Sequence, residues 1–184
     1  MAAKKKYGML IDPSRCFNCK ACMIACQAEN AVPLGKHRNW IKESELRGTY
    51  PNLGLDFEPN QCNHCDNPHC ERVCPTGATY TSEDGIVLVD YEKCIGCRFC
   101  MLACPYNARY VDKERGVVDK CTYCLQRIYQ GREPACLETC PGKVRVFGDL
   151  NDPKSEISQL IATRRTQVKL AEAGTKPRIY YIIG

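Results

Sequence analysis

Cysteine carries the chemistry that this sequence offers. Sixteen of its 184 residues are cysteines, and they fall into four sets of four with none left over. Cys16, Cys19, Cys22 and Cys26 are spaced C-x2-C-x2-C-x3-C. Cys62, Cys65, Cys70 and Cys74 follow as C-x2-C-x4-C-x3-C-P, and Cys94, Cys97, Cys100 and Cys104 as C-x2-C-x2-C-x3-C-P. Cys121, Cys124, Cys136 and Cys140 close the series as C-x2-C-x11-C-x3-C-P. Disulfides need paired Cα positions at set distances, and neighbours this dense leave mostly strained choices. Zinc takes four ligands, typically two C-x2-C pairs separated by a substantial loop, a pattern only the last set approaches. Three cysteines on x2, x2 spacing curl around one iron–sulfur cube, and C-x2-C-x2-C-x3-C-P is the bacterial 4Fe-4S signature. The third set matches it without deviation and the second departs only in a longer middle gap.

The spacing also says which sulfurs belong together. Three cysteines on a tight loop face three corners of a cube, with the loop's amides turned inward. The fourth lies a helical turn further on and faces away, towards a neighbouring cluster. The stretches C74-P-T-G-A-T-Y80 and C104-P-Y-N-A-R-Y110 repeat C-P-x-x-A-x-Y at an offset of 30 residues, and each is followed by a strand, turn and strand pattern. Sets two and three therefore read as a two-cluster unit, βαββαβ in outline, with one cluster on Cys62, Cys65, Cys70 and Cys104 and another on Cys74, Cys94, Cys97 and Cys100. By elimination the outer sets pair with each other. The lead-in LID-PSR before Cys16 mirrors LVD-YEK before Cys94. The same crossing puts Cys16, Cys19, Cys22 and Cys140 on one cluster and Cys26, Cys121, Cys124 and Cys136 on the other.

These elements predict an α+β fold of two bacterial-ferredoxin-like (βαββαβ) units, one nested in the other. Residues 1–60 form the N-terminal half of the outer unit plus a β-hairpin insertion, residues 61–115 the inner unit, residues 116–150 the other half of the outer unit, and residues 151–184 a helix and strand tail. The insertion reads as NWIKESEL, the turn RGTYPN, then LGLDFEP. The first set lacks the trailing proline, since Gln27 follows Cys26. Trp40 reads as a packing residue, and His64 and His69 as residues at the surface or beside cluster sulfur. In the tail, Asp152 is the expected N-cap of a helix to about Arg165, with Pro153 at its first position. The run IYYII is a strand that either completes a sheet or docks on a partner.

Hydrophobic residues make up 44%, cysteines included, which leaves roughly 35% of ordinary core material, a lean share for a chain of this size. Bound clusters must help to hold it. The formal charge of +5 counts every cysteine as neutral. Four oxidised clusters with thiolate ligands would bring the total to about −3, so most of the basic balance is internal compensation. Lys4, Lys5, Lys6, Arg164 and Arg165 then read as solvated surface and not as a nucleic-acid patch. The start MAAKKKYGMLID has no apolar run of signal-peptide length, which predicts no export signal, and no stretch is long and apolar enough to span a bilayer.

The segments CFNCKACMIACQAEN, QCNHCDNPHCERVCPTGATY, DYEKCIGCRFCMLACPYNARY and KCTYCLQR through PACLETCP resemble the four-cluster iron–sulfur (beta) subunits of molybdopterin oxidoreductases. The nearest resemblance is to the electron-transfer subunits of polysulfide, thiosulfate and dimethyl sulfoxide reductases, and it spans nearly the whole chain. It implies a chain that is no enzyme by itself, with no catalytic residues and no direct small-molecule substrate. Such a chain relays electrons in anaerobic respiration between an integral-membrane quinone-reactive subunit and a molybdopterin catalytic subunit. The Cys16 cluster would lie nearest the catalytic subunit and the Cys94 cluster nearest the membrane. It also implies a peripheral location at the membrane through a partner, either cytoplasmic or periplasmic by co-export. The alternatives are a wiring subunit of a formate dehydrogenase, hydrogenase or other membrane redox complex, a free polyferredoxin, and, from a different class, a zinc-dependent structural or nucleic-acid-binding protein.

Overall fold

The structure, a computed structural model, describes residues 4–184; residues 1–3, the start of the stretch read as lacking an export signal, lie outside the described residues. Strand β1 (Tyr7–Ile11) ends in a turn capped by Asp12, whose carboxylate accepts the Ser14 N–H at 3.1 Å. Asp90 makes the same turn onto the Glu92 N–H at 3.0 Å ahead of Cys94. The first cysteine loop then opens helix α1 (Ala21–Glu29). Four strands follow: β2 (Asn39–Glu43), β3 (Arg47–Thr49), β4 (Asn52–Gly54) and β5 (Phe57–Gln61). β2 pairs antiparallel with β5, and β3 with β4, around the Tyr50–Pro51 turn.

The next stretch repeats one plan twice. Helix α2 (His69–Arg72) leads to strands β6 (Thr79–Thr81) and β7 (Val87–Val89), which pair antiparallel. Helix α3 (Phe99–Leu102) leads to β8 (Arg109–Asp112) and β9 (Val117–Lys120), paired likewise. Helices α4 (Leu125–Ile128) and α5 (Ala135–Glu138) flank the long gap of the fourth cysteine set, and β10 (Arg145–Asp149) follows. Proline after Cys74, Cys104 and Cys140 holds α2, α3 and α5 to one turn, because it has no N–H to continue a helix. Where Gln27 replaces it, α1 runs on past Cys26 to Glu29.

The tail forms helix α6 (Glu156–Thr163) and strands β11 (Thr166–Gln167) and β12 (Ile179–Ile182). The helix starts later than its expected cap at Asp152. Asp152 spends its carboxylate on the Lys154 N–H at 2.9 Å and its carbonyl on the Ser155 N–H at 3.1 Å, forming a turn of its own. Ser155 is the cap, and its hydroxyl accepts the Ser158 N–H at 3.3 Å. The helix also stops at Thr163, because Arg164 turns extended and leads into β11.

The IYYII run completes a sheet. β12 lies parallel to β1 and antiparallel to β11, and β10 covers the other edge of β1, in the order β10-β1-β12-β11. Flanked on both sides, β1 reads as a continuous apolar run with Met9, Leu10 and Ile11 fully buried. Met9 and Ile11 join Ile86, Leu88 and Ile179 in the main core cluster, which also takes in Tyr123, Cys22 and Cys136. The cysteine loops are thus walls of the core and not appendages to it. Of the residues read as solvated surface, Lys4, Lys5, Arg164 and Arg165 are exposed, while half-buried Lys6 pairs with Asp66 at 2.6 Å.

Candidate cluster-binding sites

The first C-x2-C pair of each set has the same backbone turn. Its second intervening residue, Asn18, His64, Gly96 or Tyr123, has a φ of 58°, 42°, 69° or 56°. Left-handed backbone is costly for residues other than glycine and concentrates at functional sites. Here it curls the loop so that successive N–H groups face inward, a concave nest for an anion. Gly96 has a further reason to be glycine, since a Cβ there would lie 2.6 Å from the Gly116 carbonyl oxygen.

Folding gathers the quartets across the sets. Cys74 joins Cys94, Cys97 and Cys100 in the lining of one cavity. Cys104 joins Cys62, Cys65 and Cys70 in the lining of a second. Cys26 joins Cys121, Cys124 and Cys136 in the lining of a third. Antiparallel pairing of β1 with β10 sets the loop after β1 beside the turn before β10, so that Cys16 lies within electrostatic reach of Cys22 and Cys140; Cys19 is exposed on that same loop. Among the described residues no three histidine, cysteine or acidic side chains converge closely enough to hold a single metal ion. Cavities each walled by four sulfurs fit an iron–sulfur cluster in donor chemistry.

Backbone amides point at the sulfurs. The Thr79 N–H donates to Cys74 Sγ at 3.4 Å, the Tyr123 N–H to Cys121 Sγ at 3.4 Å, and the Val144 N–H to Cys140 Sγ at 3.5 Å. The Asn30 amide reaches Cys124 Sγ at 3.5 Å and Cys26 Sγ at 3.6 Å. As free thiols several of the cysteines would resist ionising. Burial, then the neighbouring sulfurs, pushes Cys26 and Cys65 up to about 12. Burial also takes Cys136 to about 12, against the pull of Arg145. Burial works on Cys74 too, but amide and hydroxyl donors from Thr79 and Thr76 outweigh it and leave the thiol below its usual value. Thiolates in such a place need a cation at the centre of the cage, which iron supplies.

Several residues that matter here were not singled out by spacing. His64 is not at the surface: it is fully buried, stacked on Tyr123, and its Nδ1 accepts the Val87 N–H at 3.2 Å. Burial, then Lys120 and Arg178, holds its imidazole neutral. Lys120, Arg109 and Arg145 are buried beside sulfur. The one signal for the arginines was that each stands five residues after the last cysteine of its set.

Four sulfur-walled loops on a mixed α+β scaffold define an iron–sulfur protein of the ferredoxin type. Known proteins agree with that class. A family model described as a 4Fe-4S dicluster domain matches residues 53–150, and a second of the same description matches residues 15–78. Over 97% of its length the chain is 42% identical to the iron-sulfur B subunit of a putative dimethyl sulfoxide reductase of Halobacterium salinarum, covering 79% of that protein. It is also 42% identical to the B component of polysulfide reductase of Wolinella succinogenes, over 97% of this sequence and 94% of that one. The B component of tetrathionate reductase of Salmonella typhimurium is 41% identical over 97% of this sequence and 73% of its own length. The protein belongs to the iron–sulfur B subunits of the molybdopterin oxidoreductases. It is an electron-transfer subunit carrying four 4Fe-4S clusters, not the catalytic chain of its complex.

Proposed function

We propose that the chain is the wire of a membrane-bound respiratory reductase, with its clusters held by crossed cysteine quartets. Cys16, Cys19, Cys22 and Cys140 form the first cage, and Cys26, Cys121, Cys124 and Cys136 the second. Cys62, Cys65, Cys70 and Cys104 form the third, and Cys74, Cys94, Cys97 and Cys100 the fourth. The observation that carries this reading is the set of three cavities, each walled by three cysteines of one set and one of another. Crossing of this kind makes residues 61–115 an inner unit nested between residues 1–60 and 116–150, with residues 151–184 as a tail that closes the outer sheet.

When bound, a 4Fe-4S cluster supplies one-electron chemistry over a wide range of potentials. The chain's own work is to hold the cages in sequence, exclude water from the middle of the wire and aim N–H groups at the sulfurs. Cys26, Cys124 and Cys136, in the second cage, are buried, whereas Cys19 in the first cage and Cys97 in the fourth are exposed. The wire therefore opens to solvent at its two ends. Exposed Phe17 and Ile24 lie at one end and exposed Ile95, Phe99 and Leu102 at the other. Apolar side chains around an exposed cage suit docked partners. We assign the first end to a molybdopterin catalytic subunit and the fourth to an integral-membrane quinone-reactive subunit, acting in polysulfide-, thiosulfate- or dimethyl sulfoxide reductase-like respiration. Among its described residues the chain has no helix long and apolar enough to cross a membrane, and we assign its attachment, on the cytoplasmic or the periplasmic face, to that partner.

Iron analysis and EPR of Cys104→Ser test the wiring. The purified chain should hold about sixteen irons, four per cluster. The substitution should damage the cluster shared with Cys62, Cys65 and Cys70 and spare the one held by Cys94, Cys97 and Cys100. The opposite pattern would remove the crossing. Co-purification tests the partners: a large molybdenum-containing subunit is expected, and a solitary chain would point to a free polyferredoxin.

A further inference from the structure

Of the six buried arginine and lysine side chains among the described residues, three answer to a carboxylate. Arg38 pairs with Asp119 at 2.9 Å, Arg127 with Glu29 at 2.8 Å, and Arg178 with Asp66 at 3.2 Å. Three do not. Arg109, Lys120 and Arg145 are 6%, 0% and 5% exposed, and none forms an ion pair with a carboxylate among the described residues. Nε and Nη2 of Arg145 and Nη2 of Arg109 have no hydrogen-bond partner among the described residues. Arg109 donates from Nη1 to Thr79 Oγ1 at 3.2 Å, and Lys120 Nζ to the carbonyls of Val87 and, at 2.7 Å, Cys121. An isolated buried cation is steeply unfavourable unless an anion faces it.

The anions available are sulfurs, and in each case they belong to two adjacent cages. Arg145 lies within electrostatic reach of Cys136 of the second cage and of Cys22 and Cys140 of the first. Lys120, whose Nζ donates to the Cys121 carbonyl in the second cage, lies within reach of Cys62 and Cys70 of the third. Arg109 lines the cavity of the third cage with Cys62 and Cys70 and lies within reach of Cys100 of the fourth. Four cages in a row have three gaps, and each gap holds one cation. The two arginines also occupy equivalent places, each the first residue of the strand after a Cys-Pro turn, β8 in one unit and β10 in the other. The inner unit's other strand of this kind, β6, begins with Thr79, the residue that accepts from Arg109.

We propose that Arg145, Lys120 and Arg109 are charge bridges, one in each gap of the wire, each stabilising the reduced state of the cluster on either side of it. An electron arriving on a cluster adds negative charge to a buried place. A fixed guanidinium or ammonium shared by two cages favours that charge in either one, so the electron crosses the gap without leaving its compensating cation. Arginine stays protonated throughout, so no proton need enter the core with the electron. These are positioning residues for the electron, acting through the clusters they face, and the proposal rests on the crossed assignment of cysteines given above.

The test is a redox titration monitored by EPR on the intact complex, with iron per chain measured alongside, for Arg145→Met, Arg145→Lys, Arg109→Met and Arg109→Lys. Arg145→Met should make the clusters of the first and second cages at least tenfold harder to reduce, a drop of about 59 mV for a one-electron couple. The third and fourth should keep their potentials, and Arg109→Met should give the complementary pattern. Both lysine variants should restore most of the shift. Full iron with unchanged potentials in the methionine variants would overturn the proposal, as would equal shifts in the lysine variants. If a methionine variant fails to load iron while its lysine counterpart loads, the charge requirement stands. If both fail, the side chain serves packing and the proposal falls. Shifts confined to one cluster from each unit would instead count against the cysteine assignment.

Discussion

Tyr123 and His64 stack face to face, their ring centroids 3.7 Å apart and their planes 22° from parallel. Each is the left-handed residue of a C-x2-C turn, Tyr123 between Cys121 and Cys124 and His64 between Cys62 and Cys65. The pair therefore rivets two cysteine loops that lie far apart in sequence. Both side chains are fully buried, and Phe147 packs edge-on against Tyr123 at 5.1 Å. Tyr123→Ala should cost about 3–5 kcal/mol, since it empties the space between the two loops. The Tyr123 hydroxyl has no partner among the described residues, so Tyr123→Phe should leave stability unchanged or slightly raised. Anaerobic urea unfolding of the two variants checks the contrast, and equal losses would disprove it.

Arg38, on the segment before β2, reaches across to Asp119 on β9 with two nitrogens. Asp119 also accepts from Tyr91 at 2.8 Å and from Tyr110, and these donors with Arg38 outweigh its burial to hold the carboxylate below the usual range. Removing one partner of such a buried pair leaves an uncompensated charge, so Asp119→Asn should destabilise by about 3–5 kcal/mol. Arg38→Met combined with Asp119→Leu should cost much less than the sum of the single changes. A double-mutant cycle measures that coupling.

Arg127 closes the long gap of the fourth set. It donates to the Glu133 carbonyl at 2.8 Å and pairs with Glu29 on α1 and Glu138 on α5. Both carboxyls are held below their ordinary range, Glu29 by hydrogen bonds from Gln126 and Arg127, Glu138 by that from Arg127. A carboxylate with a depressed native pKa lends stability above its unfolded value, near 4.3, and loses it as pH falls through the native value. Arg127→Met should therefore unfold at lower urea than the wild type at pH 7. The difference should shrink as pH drops below about 4.3. A gap that stays constant down to pH 3 would rule out the ion pairs as its source.

Cys22 and Cys136 lie within the main core cluster, and burial holds thiols such as Cys26 and Cys65 protonated unless a cation faces them. Stripping iron with a chelator should accordingly unfold the chain as a whole, as in other small proteins whose metal site is part of the core. Near-UV circular dichroism should collapse together with the visible absorbance. Retention of a native aromatic signal after complete iron loss would show that the side-chain core suffices.

What was local in this protein could be read along the chain. The proline after Cys74, Cys104 and Cys140 stops a helix whatever surrounds it, and its absence after Cys26 lets α1 continue. The strand, turn and strand patterns after Cys74 and Cys104 became β6–β7 and β8–β9 for the same reason. The start of α6 was misplaced because Asp152 and Ser155 are both good caps, and the choice fell to Ser155, whose hydroxyl also reaches the Asp149 carbonyl at 2.7 Å.

By itself the sequence determined the inorganic chemistry: the number and spacing of sulfurs are covalent facts, and a loop of three with a fourth one helical turn away suits a shared pair of cubes wherever it folds. It also implied, through a positive balance too large for a chain of thiolates to show outside, that cations lie within. Which cations those are was left to the tertiary structure. Arg109, Lys120 and Arg145 are buried, whereas Arg164 and Arg165 are exposed, because burial depends on which strands meet. The parallel seat of β12 beside β1 joins residues about 170 apart in sequence, and no local signal encodes a pairing at that distance.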